Sequence, residues 1–196
     1  RDVNIAFANE LSIICDKLNI NVWELINLSN RHPRVNILSP GPGVGGHCIA
    51  VDPWFIVDSA PDEARLIRMA RLVNDAKPEY VLNKVKVIAA EFKQPKIACL
   101  GLAFKADIDD LRESPAVEIV KNILTEQLGE VLIVEPHIEM LPTNLSTEHS
   151  TLVSLDQAMV EANIILTLTD HTVFKEMKMD KLKEKIVIDA RGIWRN

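Results

Sequence analysis

Cysteine and glycine are both scarce in this chain, three and seven among 196 residues, and each scarcity narrows what the protein can be. The cysteines (Cys15, Cys48 and Cys99) are odd in number and sit in unrelated settings. That argues against a disulfide framework and for a reducing compartment. Basic residues are in the minority, 22 against 28 acidic, leaving a net charge of -6 and a pI near 5.4. A general nucleic-acid binder, or a protein held on an anionic membrane, needs a basic face, so neither partner is expected. No apolar run reaches the roughly 18 to 20 residues that span a bilayer, and the opening R-D-V-N-I-A-F-A-N-E lacks the three-part layout of a signal peptide. The expectation is a cytoplasmic protein of one or two domains with no metal site. Against this sparse background, four of the seven glycines fall within P-G-P-G-V-G-G-H-C-I-A-V-D-P, residues 40–53, beside one thiol.

The apolar pattern divides the chain in two. Val3, Phe7, Leu11 and Ile14 follow a helical period over residues 1 to about 18, and N-V-W-E-L-I-N-L-S-N (21–30) reads as a second helix. No capping residue precedes Arg1, so the chain reads as cut from something longer. Residues 31–52 are too punctuated by proline and glycine for a helix and read as an ordered loop. From about Asp62 to Phe92 the helical stripe returns, with Pro78 expected to bend or interrupt it. Its wide apolar face suggests a partner, the same helix of a second subunit. After Gln94-Pro95 come short apolar runs of buried parallel-strand type: K-I-A-C-L-G-L, E-V-L-I-V-E-P, N-I-I-L-T-L and K-I-V-I-D-A. Helical stretches near 114–127, 154–162 and 175–183 separate them, giving an α/β, doubly wound parallel-sheet domain. The reading is a helical region over 1–94 followed by a sheet domain over 95–196.

Glycine permits positive φ and close approach to its N–H groups, so G-P-G-V-G-G can wrap an anion such as a diphosphate, or it can be a tight irregular turn. It is neither a P-loop, lacking G-K-[ST], nor a dinucleotide fingerprint, lacking a strand before it. Cys15 on a helical face and Cys99 in an apolar run read as packing residues. Cys48 differs, lying beside His47 at the loop's edge, where surroundings can activate a nucleophile. Asp52 shares its side if the segment after Cys48 turns helically, and could then handle a proton or orient water. A lone cysteine is more often structural, but G-G-H-C-x-x-x-D-P is a more specific combination. A second cluster, G-L-A-F-K-A-D-I-D-D-L-R-E-S-P (101–115), puts Lys105 and Arg112 at the carboxyl edge of the sheet. There they either pair with Asp107, Asp109 and Asp110 or bind phosphate or carboxylate. Ser114-Pro115 is a standard helix start.

With these clusters in hand, the chain resembles the UDP-glucose/GDP-mannose dehydrogenase family. G-V-G-G-H-C-I-A-V-D-P is similar to that family's catalytic-cysteine loop, A-N-E-L to its central helix, and G-L-A-F-K-x-x-x-x-D-L-R-E-S-P to the opening of its nucleotide-sugar domain. N-R-H-P-R-V-N-I and C-I-A-V-D-P-W-F-I-V resemble the branch acting on UDP-N-acetyl-D-mannosamine, which also allows Ala50. The resemblance implies a central dimerisation region and a Rossmann-like UDP-sugar-binding domain, with a homodimer formed through the long helix. It also implies oxidation of a sugar C6 alcohol to a carboxylate with two NAD⁺, in the synthesis of surface polysaccharide. By that resemblance Cys48 is the nucleophile and Asp52 assists, while Gly43, Gly45 and Gly46 let the loop close on the substrate. Lys105 reaches the substrate, Arg191 its phosphate side, Arg112 the cofactor, and His32 or Arg34 the neighbouring subunit's substrate. The family's N-terminal G-x-G-x-x-G is missing from the chain, and so are a lysine and an asparagine expected just upstream of Arg1. The chain is therefore expected not to turn over alone. A UDP-sugar-binding and dimerisation module without catalysis, a scaffold indifferent to nucleotides, and a dehydrogenase of another UDP-hexose (UDP-glucose, UDP-GlcNAc) remain alternatives.

Overall fold

In the computed structural model, which describes residues 1–194, the first half of the chain is four helices. They are α1 (Asp2–Leu18), α2 (Val22–Ser29), α3 (His47–Ser59) and α4 (Arg65–Ala89). Asn19 ends α1 in a left-handed conformation, and Asn21 caps α2 by accepting from the Trp23 and Glu24 N–H groups. Ala8 and Cys15 of α1 pack with Val22 and Ile26 of α2. No described helix is long and apolar enough to cross a membrane.

The second half alternates β1 (Lys96–Leu100), α5 (Pro115–Thr125), β2 (Glu130–Val134), β3 (Ser150–Leu152), α6 (Leu155–Glu161), β4 (Ile164–Thr167), α7 (Thr172–Lys175) and β5 (Ile186–Asp189). The five strands form one parallel sheet in the order β3-β2-β1-β4-β5, with Ala98 of β1 opposite Leu132 of β2 and Ile165 of β4. The strand order reverses between β1 and β4, and a ligand crevice is expected at the carboxyl ends of those two strands. Alternating side chains serve opposite faces: Ile97, Cys99, Ile133 and Leu166 join one core, and Ala98, Leu100, Leu132 and Ile165 the other. Ser114 caps α5 with Pro115 at its first position, as the sequence predicts.

The sequence reading needs correction at several points. The loop over 31–52 stops at Gly46, because α3 begins at His47 and runs through Pro53. A proline this deep in a helix strips one carbonyl of its donor, and Arg71 of α4 reaches that carbonyl, on Ile49. The stretch 175–183 is not one helix but α7, ending at Lys175, and a separate 3₁₀ turn over Met179–Leu182. The edge strand β3 was unforeseen, because its three residues S-T-L carry no apolar run. Pro78, for its part, does not break α4, which is continuous over 25 residues. Half of α4's apolar stripe is also covered by the chain itself: Val81, Leu82, Val85 and Ala89 pack into the core formed by β1, β2, β4 and α5. The uncovered apolar residues on α4 are Leu66, Met69, Leu72 and Val87.

Candidate functional site

The approach to the glycine loop is held by asparagine side chains rather than by a strand ladder. Asn30 accepts from Ile37 N–H at 2.7 Å and donates to its carbonyl, while Asn4 accepts from Leu38 N–H and donates to the Asn36 carbonyl, both at 2.8 Å. Asn9, fully buried in α1, accepts from Gly41 N–H at 2.8 Å. Asn30 and Asn4 each meet a donor and an acceptor of the main chain, and Asn9 adds an acceptor for Gly41, which is why residues 36–41 are ordered without belonging to a sheet.

From Gly41 the loop crosses to the sheet domain, and there the need for glycine becomes visible. A Cβ on Gly41 would stand 2.7 Å from Arg191 Nη1, and one on Gly43 2.7 Å from Pro115 Cβ. On Gly45 it would stand 2.6 Å from the Glu113 carbonyl oxygen and 2.8 Å from Phe104 Cβ. The glycines thus turn their Cα faces onto the 104–115 loop and Arg191, so three of the sequence-predicted clusters meet in one place. Gly46, at φ 85°, then leads into α3.

Cys48 is the second residue of α3 and is exposed, while Cys15 and Cys99 are buried. Asp52 lies one helical turn further on, on the same side and also exposed, so the conditional reading of its position is met. The sulfur is not walled in by aliphatic neighbours.

The loop after β1 is fastened at several points. Buried Glu135 accepts from the Leu102 and Ala103 N–H groups at 2.7 and 3.1 Å, Thr169 Oγ1 donates to the Ala103 carbonyl, and Ser114 Oγ donates to that of Leu102. Burial would raise the Glu135 carboxyl, but the bonds from His171 and from these amides hold it below its ordinary value. Lys105 projects from this loop into solvent, with no hydrogen bond or ion pair among the described residues. Arg112 instead forks onto Asp110 at 2.6 to 3.1 Å, with its side chain 80% exposed. Those bonds draw the Asp110 carboxyl down to about 2. For Arg112, then, surface pairing is what the structure contains.

Asp107, His137 and His171 place donor atoms within 4.8 Å of one another, a spacing that could hold a metal ion. The donor atoms of His171 and Asp107 are already engaged. His171 Nδ1 accepts from Asp107 N–H at 2.9 Å, and the Asp107 carboxylate accepts from Thr172 N–H and Oγ1. With Nδ1 accepting, Nε2 carries the proton and donates to Glu135 at 3.1 Å. The group ties the β1 and β4 loops together.

Arg191, past the end of β5, grips Asp170 through Nε and Nη2 at 3.1 and 2.6 Å. Burial opposes ionisation of Asp170, but Arg191 and Lys175 bring its carboxyl down to about 2. Ser39, Asp170, Lys175, Arg191, Gly192 and Ile193 line a cleft of about 350 Å³ with two cations at one wall. His32 and Arg34 are not brought to this place. Arg34 lines a groove with Phe7, Leu66 and Met69, and no hydrogen bond or ion pair joins either residue to the loop, among the described residues.

Sequence reasoning missed Asn9, Arg71, Asn74, Lys77 and Lys175. Three of them left a signal: Arg71, Asn74 and Lys77 recur every three residues within an apolar helical stripe, so polar groups share a buried face.

Comparisons with known proteins bear on this arrangement. The UDP binding domain of the UDP-glucose/GDP-mannose dehydrogenase family matches residues 98–196, and that family's central domain matches residues 1–76. An NDP-N-acetyl-D-galactosaminuronic acid dehydrogenase of Ralstonia solanacearum is 63% identical over 99% of this chain and 45% of its own length. The UDP-N-acetyl-D-mannosamine dehydrogenase of Escherichia coli K12 is 57% identical over 100% of this chain and 48% of its own. Among solved structures, the UDP-N-acetyl-mannosamine dehydrogenase Cap5O from Staphylococcus aureus has a TM-score of 0.81 at 39% identity, covering 100% of this chain and 45% of that one. The chain thus spans about half the length of the curated relatives it matches.

Proposed function

Since the chain belongs to the UDP-glucose/GDP-mannose dehydrogenase family, we propose that it is the thiol-bearing and UDP-sugar-binding portion of an enzyme that oxidises C6 of a UDP-N-acetylhexosamine to a carboxylate. The observation that carries this reading is the meeting of the glycine loop, with exposed Cys48 at its end, with the 104–115 loop and Arg191. UDP-N-acetyl-D-mannosamine is the proposed substrate, and surface polysaccharide the proposed destination of its uronate. A second reading, the galacto-configured N-acetyl sugar, is favoured by the name of the 63% identical relative.

Each oxidation in such chemistry needs a hydride acceptor, NAD⁺, two per carboxylate formed. The described residues do not fit that cofactor. Gly101 after β1 is packed against Thr169, where a Cβ would stand 2.3 Å from the Thr169 Cβ, and Glu135 at the end of β2 is spent on backbone amides. The main cofactor site is proposed to lie in other parts of the whole protein, and this chain alone is proposed not to turn over.

What the chain supplies is the thiol. Cys48 sulfur adds to the C6 aldehyde and its proton passes to the aldehyde oxygen, giving a thiohemiacetal. Loss of hydride from that carbon to NAD⁺ held elsewhere, and of the hydroxyl proton to water, would leave a thioester. Water then adds, the C–S bond breaks, and the thiol is restored beside a free carboxylate. Asp52, one turn from the sulfur, is the group proposed to orient that water and take its proton. Lys105 and Arg191 are proposed to meet the diphosphate. Gly43, Gly45 and Gly46 keep the loop against the sheet domain so that both walls of the site stay together. Two chains are proposed to pair across the exposed Phe7, Leu66 and Met69 of α1 and α4, beside which Arg34 lies. There His32 or Arg34 would serve the partner's substrate.

Calorimetric titration of UDP into this chain tests the binding half. Lys105→Ala and Arg191→Ala should each weaken UDP by about tenfold or more, as expected for loss of a charge-assisted phosphate contact. Folded protein that gives no heat with UDP would sink the reading.

A further inference from the structure

We propose that a buried chain of hydrogen bonds through Asn9, Asn74, Asp2 and Arg71 joins the two ends of the Gly41–Ile49 segment and so positions Cys48. The proposal rests on Cys48 being the reacting thiol. It begins where Gly41 N–H donates to Asn9 Oδ1 at 2.8 Å. Asn9 Nδ2 then donates to Asn74 Oδ1 at 2.9 Å, and Asn74 Nδ2 to Asp2 Oδ1 at 2.8 Å. The same carboxylate oxygen accepts from Arg71 Nη1 at 2.6 Å. Arg71 Nη1 also reaches the Ile49 carbonyl at 3.4 Å, a long contact, but one from a charged donor. Exposure along the path is 0% for Asn9, 1% for Asn74, 2% for Arg71 and 7% for Asp2.

Two features make this more than incidental helix packing. The first is polarity. Asn9 must present oxygen to a backbone N–H, so its amino group faces Asn74, whose own amino group must then face the carboxylate. One orientation satisfies both amides, and breaking either leaves a buried group unpaired; Asp2 Oδ2 and Arg71 Nε are buried without a hydrogen-bond partner among the described residues. The second lies in α3. Ile49 would ordinarily give its carbonyl to the N–H of residue 53, but residue 53 is proline. Asp52-Pro53 thereby frees an acceptor immediately after Cys48, and the guanidinium of another helix takes it. Apolar residues would pack α1 on α4 at least as well as a buried ion pair does. What the polar chain adds is a fixed register between both helices and both ends of the loop.

Amide hydrogen exchange on the 196-residue chain, with iodoacetamide labelling of Cys48 alongside, tests the idea. Asn9→Ala cuts the Gly41 end, and the paired Asp2→Asn/Arg71→Met change cuts the Ile49 end without stranding a buried charge, since Asp75, the other partner of Arg71, is 47% exposed. Each should speed exchange at both ends of residues 41–49 by about tenfold, the worth of one net hydrogen bond, and alter the Cys48 labelling rate, leaving β1 and β4 amides protected. Asn9→Asp keeps the acceptor for Gly41 but cannot donate to Asn74, so the Ile49 end should still loosen; this variant decides the matter if a larger change prevents folding. Lys17→Ala, in the same helix but exposed and off the path, should leave residues 41–49 unchanged. Loosening confined to the mutated end, equal loosening of the sheet, or no change overturns the proposal. In Cys48→Ser the exchange pattern should persist. Parent protein in which Cys48 labels no faster than Cys15 or Cys99 would defeat the thiol reading while the exchange data still judge the clamp.

Discussion

Lys77 is 5% exposed, and among the described residues its ammonium has one hydrogen-bonding partner, Ser12 Oγ, with the Tyr80 ring 4.9 Å away. Burial drives its pKa down from the ordinary 10.5 to about 8, against the pull of Asp16 in the other direction. Above pH 8 the folded chain has released a proton that the unfolded chain still holds, so this residue makes stability rise with pH until about 10.5. Urea unfolding of the parent and of Lys77→Met should therefore show the parent gaining on the variant between pH 8 and 10. The comparison is needed because the buried thiols act oppositely: Cys99 is pushed up to about 12 and Cys15 is also raised by burial, so each destabilises as the unfolded thiol ionises. A pH-independent gap would mean that folding leaves the Lys77 pKa where it is in the unfolded chain.

Helix α4 serves both halves of the molecule. Its first turns carry Arg71 and Asn74 toward α1 and α3, while Leu82 and Val85 are fully enclosed in the sheet domain's core. Leu82→Ala should lower stability by about 2–5 kcal/mol in a single cooperative transition, followed by circular dichroism in denaturant. Two separated transitions would mean that the helical and sheet halves fold independently. The same helices show what the sequence made legible. The apolar period of α1 and α4 and the buried strands were readable because each buries a continuous stripe or run. α3 was hidden because Gly46 and Pro53 argue locally against a helix, and the contact that compensates Pro53 comes from Arg71, 18 residues further on. β3 was hidden because an edge strand of three residues needs only a neighbour's backbone. At the candidate site, the placement of Cys48 and Asp52 on one side and the close approach made by the glycines could be read from their clustering. The pairing of Arg112 with Asp110 was one of two alternatives the sequence left open, and the meeting of Asn9 with Asn74 depends on how α1 packs on α4, which the three-residue spacing along α4 does not encode.

For the molecule as a whole, the exposed Phe7, Leu66 and Met69 form an apolar patch of the kind that marks an interface. Sedimentation should find a dimer that Met69→Glu converts to monomer, whereas a monomeric parent would remove the proposed subunit contact. A reactive sulfur is proposed to stand where a UDP-linked sugar binds. The most direct test is the rate of Cys48 alkylation by iodoacetamide, followed by peptide mass spectrometry, with and without saturating UDP-N-acetyl-D-mannosamine. The prediction is that Cys48 alone labels readily in folded protein and that the sugar nucleotide protects it. Labelling unchanged by a nucleotide that calorimetry shows to be bound would contradict the account.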